Sequence, residues 1–314
     1  MPFGHRQRQQ RGEIVDVAGW EVDPDNPHFP EGRQPKLLLI APRDPLFPFI
    51  IPGHRYLFKK PAGWQINQIW SEVIAYELSK VSTPRVPPAF LAVDSATGEP
   101  GVLIEFFYGY RDEPEKRLVP GSDYLHSWLS GHYDRKWGRP HQVRQNLTIC
   151  RSEGIPDYFQ WWFEAFAYDA LIGNPDRHPD NWGILFEYSN GRRNRAEMAP
   201  LFDNGSSLAY EIPEDRLARF DLGRYMSRGR HHCALDAGAN RGALFMELCE
   251  GLLAYHRAGS LQPGIMLPYT DVVIDGILAW CQGMDYIVAL SAERADLLRV
   301  LLRARRDQLR EIVP

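Results

Sequence analysis

Two short polar segments in the second half of the chain contain side chains that suit proton transfer and metal binding. Residues 176–181 have the sequence DRHPDN, and residues 203–205 have the sequence DNG. The carboxylate of Asp176 can accept a proton from an attacking hydroxyl, while Asn181 and Asp203 offer oxygen ligands of the kind that Mg²⁺ prefers. The five-residue step from Asp176 to Asn181 equals that of the catalytic-loop pattern H-R-D-x-x-x-x-N. Together the two segments predict a phosphoryl-transfer centre with a catalytic Asp176.

The prediction rests on the pairing of the two segments, because Asp and Asn are frequent in turns and one D-x-x-x-x-N is common by chance. His178 is counted with Asp176 as a catalytic candidate; we expect it to support the loop through hydrogen bonds, with contact to phosphates as the alternative. Arg177 and Asp180 are interpreted as solvated or structural. Residues 231–233, HHC, have the side chains of metal ligands. Without a second pair at ligand spacing they are interpreted as part of a loop.

Phosphoryl transfer also requires a cation near the phosphates and an acid that holds this cation. Lys59 ends an apolar run typical of a strand, and Glu72 follows within a helical pattern. This arrangement matches the strand-Lys to helix-Glu ion pair of protein kinases. Lys59 is favoured over Lys60 because Leu57 and Lys59 share one face of a strand. The helix pattern leaves the choice between Glu72 and Glu77 open.

The elements that must position these residues divide into a β-rich and a helical part. Apolar runs separated by turn residues predict a small antiparallel sheet, and three- and four-residue apolar spacing predicts an amphipathic helix over residues 65–81. The predicted strands are Glu13–Val17, Lys36–Ile40, Tyr56–Phe58, Phe90–Val93 and Gly101–Phe107. Residues 1–12 are polar, and we expect this N-terminus to be flexible.

The second part of the chain is mostly helical. Residues 157–172 are apolar nearly all round, which predicts a buried helix. Strands at 182–186 and 197–202 flank Ser189-Asn190-Gly191, a hairpin signal. Further helices are predicted at Leu244–His256, Thr270–Gln282 and Ser291–Val313, whereas residues 109–155 have weak periodicity. The fold class is therefore α+β and two-lobed like that of protein kinases, with a small β-rich N-lobe at 13–108, a larger helical C-lobe at 109–314 and a ligand cleft between them.

Composition excludes several other classes of protein. The chain has 314 residues, of which 44% are hydrophobic and 24% charged, and this balance indicates a globular fold. A net charge of −4 gives no reason to expect direct nucleic-acid binding. No apolar run reaches the roughly 18–20 residues of a membrane span. Four scattered cysteines without a C-x-x-C pair, and the absence of a secretory signal, predict a cytoplasmic location.

The same residues resemble the HipA-like kinases, serine/threonine kinases known from bacterial toxin–antitoxin systems. The resemblance covers about residues 31–208, and its most specific part is the Gly-Asn-x-Asp-x-His-x-x-Asn segment at 173–181. The other resembling segments are residues 32–36 (GRQPK), 57–61 (LFKKP), 71–72 (SE), 102–107 (VLIEFF) and 200–203 (PLFD).

The resemblance implies that ATP binds between the lobes, with Mg²⁺ on Asn181 and Asp203. It implies that residues 31–36 cover the phosphates and that the backbone at 105–107 receives the adenine. The residues expected at ATP are Gly32, Gln34, Lys36, Lys59, Glu72, Glu105, Phe106 and Phe107. The implied acceptor is a serine or threonine of a protein, and the implied partner is an antitoxin.

Two departures from this family change what we expect. The sequence before Gly32 is too short for the small N-terminal subdomain of HipA toxins, so a short form is expected. Residues 31–36 contain no serine, whereas HipA toxins often carry an autophosphorylated serine there, and Ser206 and Ser207 are the nearest alternative modification sites.

Two alternatives remain open. One is a small-molecule or phosphoinositide-type kinase on the same core, and the other is a nucleotide-binding pseudokinase that acts as an interaction module. The arginines of residues 299–310 are interpreted as a solvated helix face rather than a lipid-facing one. Residues 109–155 and 206–235 have no signature that identifies the acceptor.

Overall fold

A computed structural model describes residues 3–24, 36–128, 141–235, 238–255 and 265–312. The strands are β1 Val15–Asp16, β2 Glu21–Val22, β3 Lys36–Ile40, β4 Arg55–Lys59, β5 Ala89–Asp94, β6 Glu99–Glu105, β7 Glu115–Pro120, β8 Gly183–Ser189 and β9 Arg192–Met198. The α-helices are α1 Gln68–Ser79, α2 Gly121–Trp128, α3 Val143–Ser152, α4 Tyr158–Ile172, α5 Leu222–Arg228, α6 Phe245–Tyr255, α7 Asp271–Gln282 and α8 Ala292–Ile312.

The N-lobe is built on a six-stranded sheet in the order β1-β5-β6-β4-β3-β2. Most neighbouring strands are antiparallel, as predicted, but β1 pairs in parallel with β5 through Val15 and Ala92. The prediction of a purely antiparallel sheet is therefore wrong at this edge. Apolar alternation indicates that a strand exists, but it carries no information about strand direction.

The first residues of the chain lie against this sheet, whereas their polar composition predicts a flexible start. Gln9 is buried and exchanges two hydrogen bonds with the backbone of Leu91, at 2.9 and 2.8 Å. The indole Nε1 of Trp280 donates to the carbonyl of Gln9 at 2.8 Å. Polar side chains here satisfy buried backbone groups instead of facing water, and composition alone does not distinguish the two cases.

Helix α1, predicted over residues 65–81, crosses between the two lobes. All of its residues are buried. One side packs against β5 and β6 and another against α7, and Trp70 donates from Nε1 to the carbonyl of Val288 at 2.9 Å. Because α1 is fixed by both lobes, the side chain of Glu72 has a rigid support.

The C-lobe is organised around α4, the predicted buried helix. Ten of its residues, from Trp162 onward, are buried, and the helix packs against α3, α6 and α8. It ends at Gly173, whose φ of 67° lies in the left-handed region that favours glycine at a helix C-terminus. The chain then turns directly into residues 176–181, so the most deeply buried helix fixes where that loop begins.

A second sheet, in the C-lobe, has the strand order β7-β8-β9. The predicted hairpin is present as β8 and β9, with its turn at Asn190-Gly191. Strand β7 lies in the region to which the sequence assigns no element. Its residues, EKRLVP, are at most half-buried and lack an apolar face, which is why the strand has no clear signature.

The last three helices occupy nearly the predicted ranges. Thr270 caps α7 by accepting a hydrogen bond from the backbone of Val273, and Ser291 does the same for Arg294 at the start of α8. Arg305 and Arg306 on α8 are buried rather than solvated, contrary to the sequence interpretation. Among the helices that the structure describes, none combines the length and the apolar character needed to cross a bilayer.

Candidate active site

The centre of the site is a buried lysine held by two carboxylates. Nζ of Lys59, at the end of β4, donates to Oε1 of Glu72 at 2.6 Å and to Oδ1 of Asp203 at 2.8 Å. Burial opposes the charged form of Lys59, but Asp203 and Glu72 outweigh it and raise the pKa of this ammonium group above its ordinary value. The predicted strand-to-helix ion pair is present, and Asp203 joins it from the C-lobe.

Lys60 and Glu77, the alternatives to Lys59 and Glu72 in this ion pair, have other partners. Lys60 donates to Oε2 of Glu99 at 2.6 Å on the surface. Glu77 accepts hydrogen bonds from Lys80 and Arg8, both at 2.6 Å. The choice that the sequence left open, between Glu72 and Glu77, is thereby resolved in favour of Glu72, and the contact of Lys59 agrees with its preference over Lys60.

A second lysine reaches the same carboxylate. Lys36 and Lys59 are direct cross-strand partners on β3 and β4, and Nζ of Lys36 lies 3.2 Å from Oδ2 of Asp203. Like charges directly opposite each other destabilise a sheet, and here the carboxylate of Asp203 lies between the two ammonium groups. This pair of ammonium groups is suited to the charge of a polyphosphate. Gly32 and Gln34, predicted to cover the phosphates, lie outside the described residues.

The predicted catalytic loop, residues 176–181, places Asp176 beside a hydroxyl. Oγ of Ser206 donates to Oδ2 of Asp176 at 3.1 Å. Nδ2 of Asn181 donates to the carbonyl of Asp176 at 2.7 Å, which leaves Oδ1 as the side-chain atom of Asn181 that can bind a metal. A serine hydroxyl therefore already occupies the position that an acceptor hydroxyl needs on Asp176.

The two aspartates have opposite pKa shifts. Burial raises the pKa of Asp176; His178 opposes this shift and the charge of Asp203 adds to it. Burial also disfavours the ionised form of Asp203, but Lys59 and Lys36 outweigh it and hold its pKa well below the usual range. One carboxylate is thus tuned to take up a proton and the other to stay charged, as a base and a metal ligand require.

The raised pKa of Asp176 predicts that its charge destabilises the fold. The folded protein binds this proton more tightly than the unfolded chain, so stability falls as pH rises between the ordinary carboxyl pKa of about 4 and the raised value. We expect Asp176→Asn to raise the unfolding midpoint by a few degrees at pH 7–8 and the gain to vanish near pH 4. Thermal unfolding measured between pH 4 and pH 8 checks this prediction, and Asp44→Asn, at an exposed position, is the control. A gain that does not depend on pH contradicts the prediction.

Arg177, interpreted from the sequence as solvated or structural, is fully buried and links the two functional segments. Its guanidinium donates to both carboxylate oxygens of Asp169, at 3.0 and 2.7 Å. It also donates to the carbonyls of Asn181 and Phe202 and to Oδ1 of Asn204, at 3.1, 2.5 and 2.8 Å. The structural interpretation is correct and the solvated one is wrong. Arg177 joins the catalytic loop to the segment that carries Asp203.

Histidines surround this arginine. His231 approaches Oδ2 of Asp169 through Nε2 at 3.1 Å, and Nε2 of His141 lies 3.0 Å from the carbonyl of Arg177. His178 accepts a hydrogen bond from the backbone N–H of Asp180 through Nδ1 at 3.2 Å. This contact agrees with the predicted supporting role of His178. His231 serves the same network, as part of a loop rather than as a metal ligand.

The predicted adenine edge is held firmly by its side chains. The carboxylate of Glu105 accepts two hydrogen bonds from Arg6, at 2.8 and 2.7 Å, and one from Tyr110 at 2.6 Å. Burial lowers the pKa of His54 to about 4, so its neutral ring can donate from Nε2 to the carbonyl of Phe106 at 2.6 Å.

The backbone at 105–107 differs from residue to residue in what it offers a ligand. The N–H of Glu105 donates to Pro88, and that of Phe106 donates to Arg55. Within the described part of the chain, the N–H and C=O of Phe107 have no hydrogen-bond partner. The ring of Phe107 stacks on that of Phe202 at 5.3 Å, next to Asp203. Of the three predicted residues, Phe107 therefore has the backbone groups best suited to an adenine.

In residues 203–205, the predicted metal-binding segment, the residue with a positive φ is Asp203, at 58°. A positive φ strains an aspartate, and strain of this kind is typical of a functional segment. A Cβ at Gly205 would lie 3.3 Å from Oε1 of Glu72, which is a tight contact.

The oxygen ligands fit the predicted metal. In the described parts of the chain, no three His, Cys, Asp or Glu side chains come together as a metal site. Mg²⁺ commonly takes one or two protein oxygens and completes its shell with phosphate oxygens and water. The carboxylate of Asp203 and Oδ1 of Asn181 supply oxygens of this kind, beside two lysines that can hold the phosphates.

The fold and the arrangement of these residues define a two-lobed α+β protein of the protein-kinase-like class. A kinase of Helicobacter pylori shares this fold: the crystal structure of the proinflammatory kinase CtkA matches with a TM-score of 0.69 and 16% identity, over 95% of this chain and 96% of that chain. The predicted fold class is confirmed by this match.

Sequence similarity is limited to a short segment. This chain is 44% identical to the serine/threonine-protein kinase CtkA of Helicobacter pylori over 48 residues, 15% of this chain and 14% of that kinase. HipA of Shewanella oneidensis, in a toxin–antitoxin complex with HipB and operator DNA, matches with a TM-score of 0.48 and 15% identity, over 96% of this chain and 71% of that chain. No protein-family model matches the chain.

Proposed function

We propose that this protein is an ATP-dependent kinase that transfers the γ-phosphate of ATP to a serine or threonine hydroxyl of a protein. The observation that carries the proposal is the joining of Lys59, Glu72 and Asp203 across the cleft, next to a carboxylate that accepts a serine hydroxyl. A structural ion pair alone does not require a base at this position. The fold shared with a kinase supports the same activity.

Each residue has a role in the proposed reaction. The acceptor hydroxyl donates its proton to Asp176, its oxygen bonds to the γ-phosphorus, and the bond from that phosphorus to the bridging oxygen of ADP breaks. Lys59 and Lys36 hold phosphate oxygens and stabilise their charge. Glu72 keeps Lys59 in place. Asp176 must be ionised to accept the proton, so its raised pKa makes it a stronger base than an ordinary carboxylate.

Mg²⁺ would be held by Asp203 and Asn181, and when bound it neutralises charge on the phosphates. The backbone of Phe107 would bind the adenine, with the phenyl ring of Phe107 beside it. Residues 31–36 would cover the phosphates, as the resemblance implies. An antitoxin partner and a cytoplasmic location stay predictions from the sequence.

The contact of Ser206 with Asp176 favours a serine or threonine acceptor over a small molecule. The hydroxyl of Ser206 lies 3.1 Å from Oδ2 of Asp176, so the site accommodates this side chain together with its backbone. A protein acceptor must place both a hydroxyl side chain and its backbone in the site.

Transfer from γ-labelled ATP with Mg²⁺ to separated protein, lipid and small-molecule fractions of a cell lysate tests the proposal. We expect label on phosphoserine or phosphothreonine in the protein fraction, and background label with Asp176→Asn. Label in the lipid or small-molecule fraction instead would support the alternative kinase. Absence of transfer with every fraction, despite ATP binding, would support the pseudokinase.

A further inference from the structure

A large basic cavity lies beside the catalytic loop, in the region where the sequence has no acceptor signature. It has a volume of about 790 Å³, and Gly173 and Pro175 form part of its wall. Pro175 directly precedes Asp176, and consecutive Cα atoms are about 3.8 Å apart. The wall of the cavity therefore adjoins Asp176 along the chain.

The lining of this cavity, named here the arginine cavity, is strongly cationic. Two carboxylates, Glu211 and Asp221, face six arginines. The arginines are Arg216, Arg219, Arg224, Arg228, Arg230 and Arg305. This excess of positive charge contrasts with the negative net charge of the whole chain. Charge of one sign collected in a concave surface attracts ligands of the opposite sign.

Arg305 is the deepest member, and its charge is poorly compensated. Its side chain is 3% exposed, and its hydrogen bond to the described residues runs from Nη1 to the carbonyl of Ala170 at a long 3.3 Å. The guanidinium lies against the rings of Tyr225 and Phe245, at 5.6 and 5.3 Å. No ion pair links it to a carboxylate within the described residues. Burial accordingly lowers the pKa of Arg305.

The nearby acids neutralise Arg305 only in part: the charge of Glu211 favours the ionised guanidinium, but burial outweighs it. Glu211 accepts a hydrogen bond from the hydroxyl of Tyr225 at 3.0 Å, and Asp221 caps α5 by accepting from the backbone N–H of Arg224 at 2.9 Å. A buried cation without a paired anion is costly for a fold. A bound acidic group would supply the missing partner.

The fold makes room for this arginine at the start of the catalytic loop. A Cβ on Gly173 would lie 1.5 Å from Nη1 of Arg305. The glycine that ends α4 thus also admits the guanidinium beside the loop that carries Asp176. The buried charge therefore lies against Gly173, in the wall of the cavity.

We propose that the arginine cavity binds acidic side chains of the acceptor polypeptide, and so selects serines or threonines in acidic segments. The inference rests on the proposed kinase function. The deep Arg305 would hold one carboxylate or phosphate group of the acceptor. The exposed arginines at the rim, among them Arg219 and Arg224, would hold further acidic residues along an extended chain. A row of shallow cations around one deep cation suits an acidic peptide better than a single headgroup.

Binding and transfer are measured separately, so that the failure of this inference differs from the failure of the proposed function. The probes are a fluorescent serine peptide with glutamates on both sides of the serine, and the same peptide with glutamines. We expect the glutamate peptide to bind at least about tenfold more tightly, with a preference that weakens as salt rises.

Two kinds of variant locate the binding site. Arg305→Met, and the exposed pair Arg219→Gln with Arg224→Gln, should each weaken binding of the glutamate peptide by about tenfold or more and raise its KM with little change in kcat. Arg305→Met should not lower the unfolding midpoint, because it removes a buried unpaired charge. Arg192→Gln, an exposed arginine on β9, is the matched control.

The possible results distinguish a failure of this inference from a failure of the proposed function. The inference is overturned, and the kinase proposal left intact, if both peptides bind equally. The same holds if the double variant Arg219→Gln with Arg224→Gln binds the glutamate peptide as tightly as wild type. Arginine-dependent binding of phosphoinositide vesicles, without binding of the glutamate peptide, also overturns it. Arginine-dependent peptide binding without any phosphate transfer supports the cavity as a binding site and contradicts the proposed kinase function.

Discussion

Replacing Arg177 by alanine should lower the free energy of unfolding by about 3–5 kcal/mol, the usual cost of removing one partner from a buried ion pair. Asp169, which is completely buried, would lose the guanidinium and keep His231 as its neighbour. The carbonyls of Asn181 and Phe202 would lose their donor as well. Urea unfolding followed by the fluorescence of the tryptophans measures the loss.

The control for this experiment is Arg192→Ala, since Arg192 is exposed on β9 and a surface substitution changes stability by about 0.5 kcal/mol or less. A decrease below about 1 kcal/mol for Arg177→Ala would contradict the role assigned to this arginine. Phosphate transfer should fall along with stability, because the same side chain holds both functional segments in place.

Replacing Lys59 by methionine should also cost about 3–5 kcal/mol, because it leaves Glu72 buried without its ammonium partner. Asp203 keeps Lys36, so most of the loss should come from Glu72. The double variant Lys59→Met with Glu72→Gln should therefore recover much of the stability. A double-mutant cycle measured by urea unfolding gives the coupling energy of the pair.

Nucleotide binding should respond differently in this cycle. Neither the single nor the double variant retains the ammonium group that we assign to the phosphates, so both should bind ATP with Mg²⁺ weakly although the double variant is stable. A stable double variant that binds ATP like wild type would show that Lys59 serves the fold alone. Lys60→Met, which alters a surface ion pair, is the matched control.

The sequence allowed the main residues of the site to be predicted where a local pattern combined with a chemical requirement. Asp176 and Asn181 follow from residue types at a fixed spacing, and Asp203 from its place after a predicted hairpin. Lys59 follows from strand alternation, whereas helix spacing narrowed its partner to Glu72 or Glu77. Each of these patterns depends on neighbours along the chain, which one sequence displays.

What the sequence did not reveal depends on contacts between distant segments. Lys36 was expected at ATP, but its contact with Asp203 depends on the cross-strand register with Lys59. Arg177 donates five hydrogen bonds, one within its own loop and four to Asp169 and to residues 202–204. Arg305 looked like one of several solvated arginines on α8. Its burial depends on how α8 packs against α4 and α6, and no local pattern distinguishes it from its neighbours.

In the proposed reaction, Asp176 accepts the proton of the attacking hydroxyl and is not required to hold ATP. The most direct test measures ATP affinity with Mg²⁺ and the rate of phosphate transfer in parallel, for wild type and Asp176→Asn. We expect equal affinity and a transfer rate lower by about 10²–10⁴-fold, the usual contribution of a general base. Transfer by Asp176→Asn at the wild-type rate would contradict the claim.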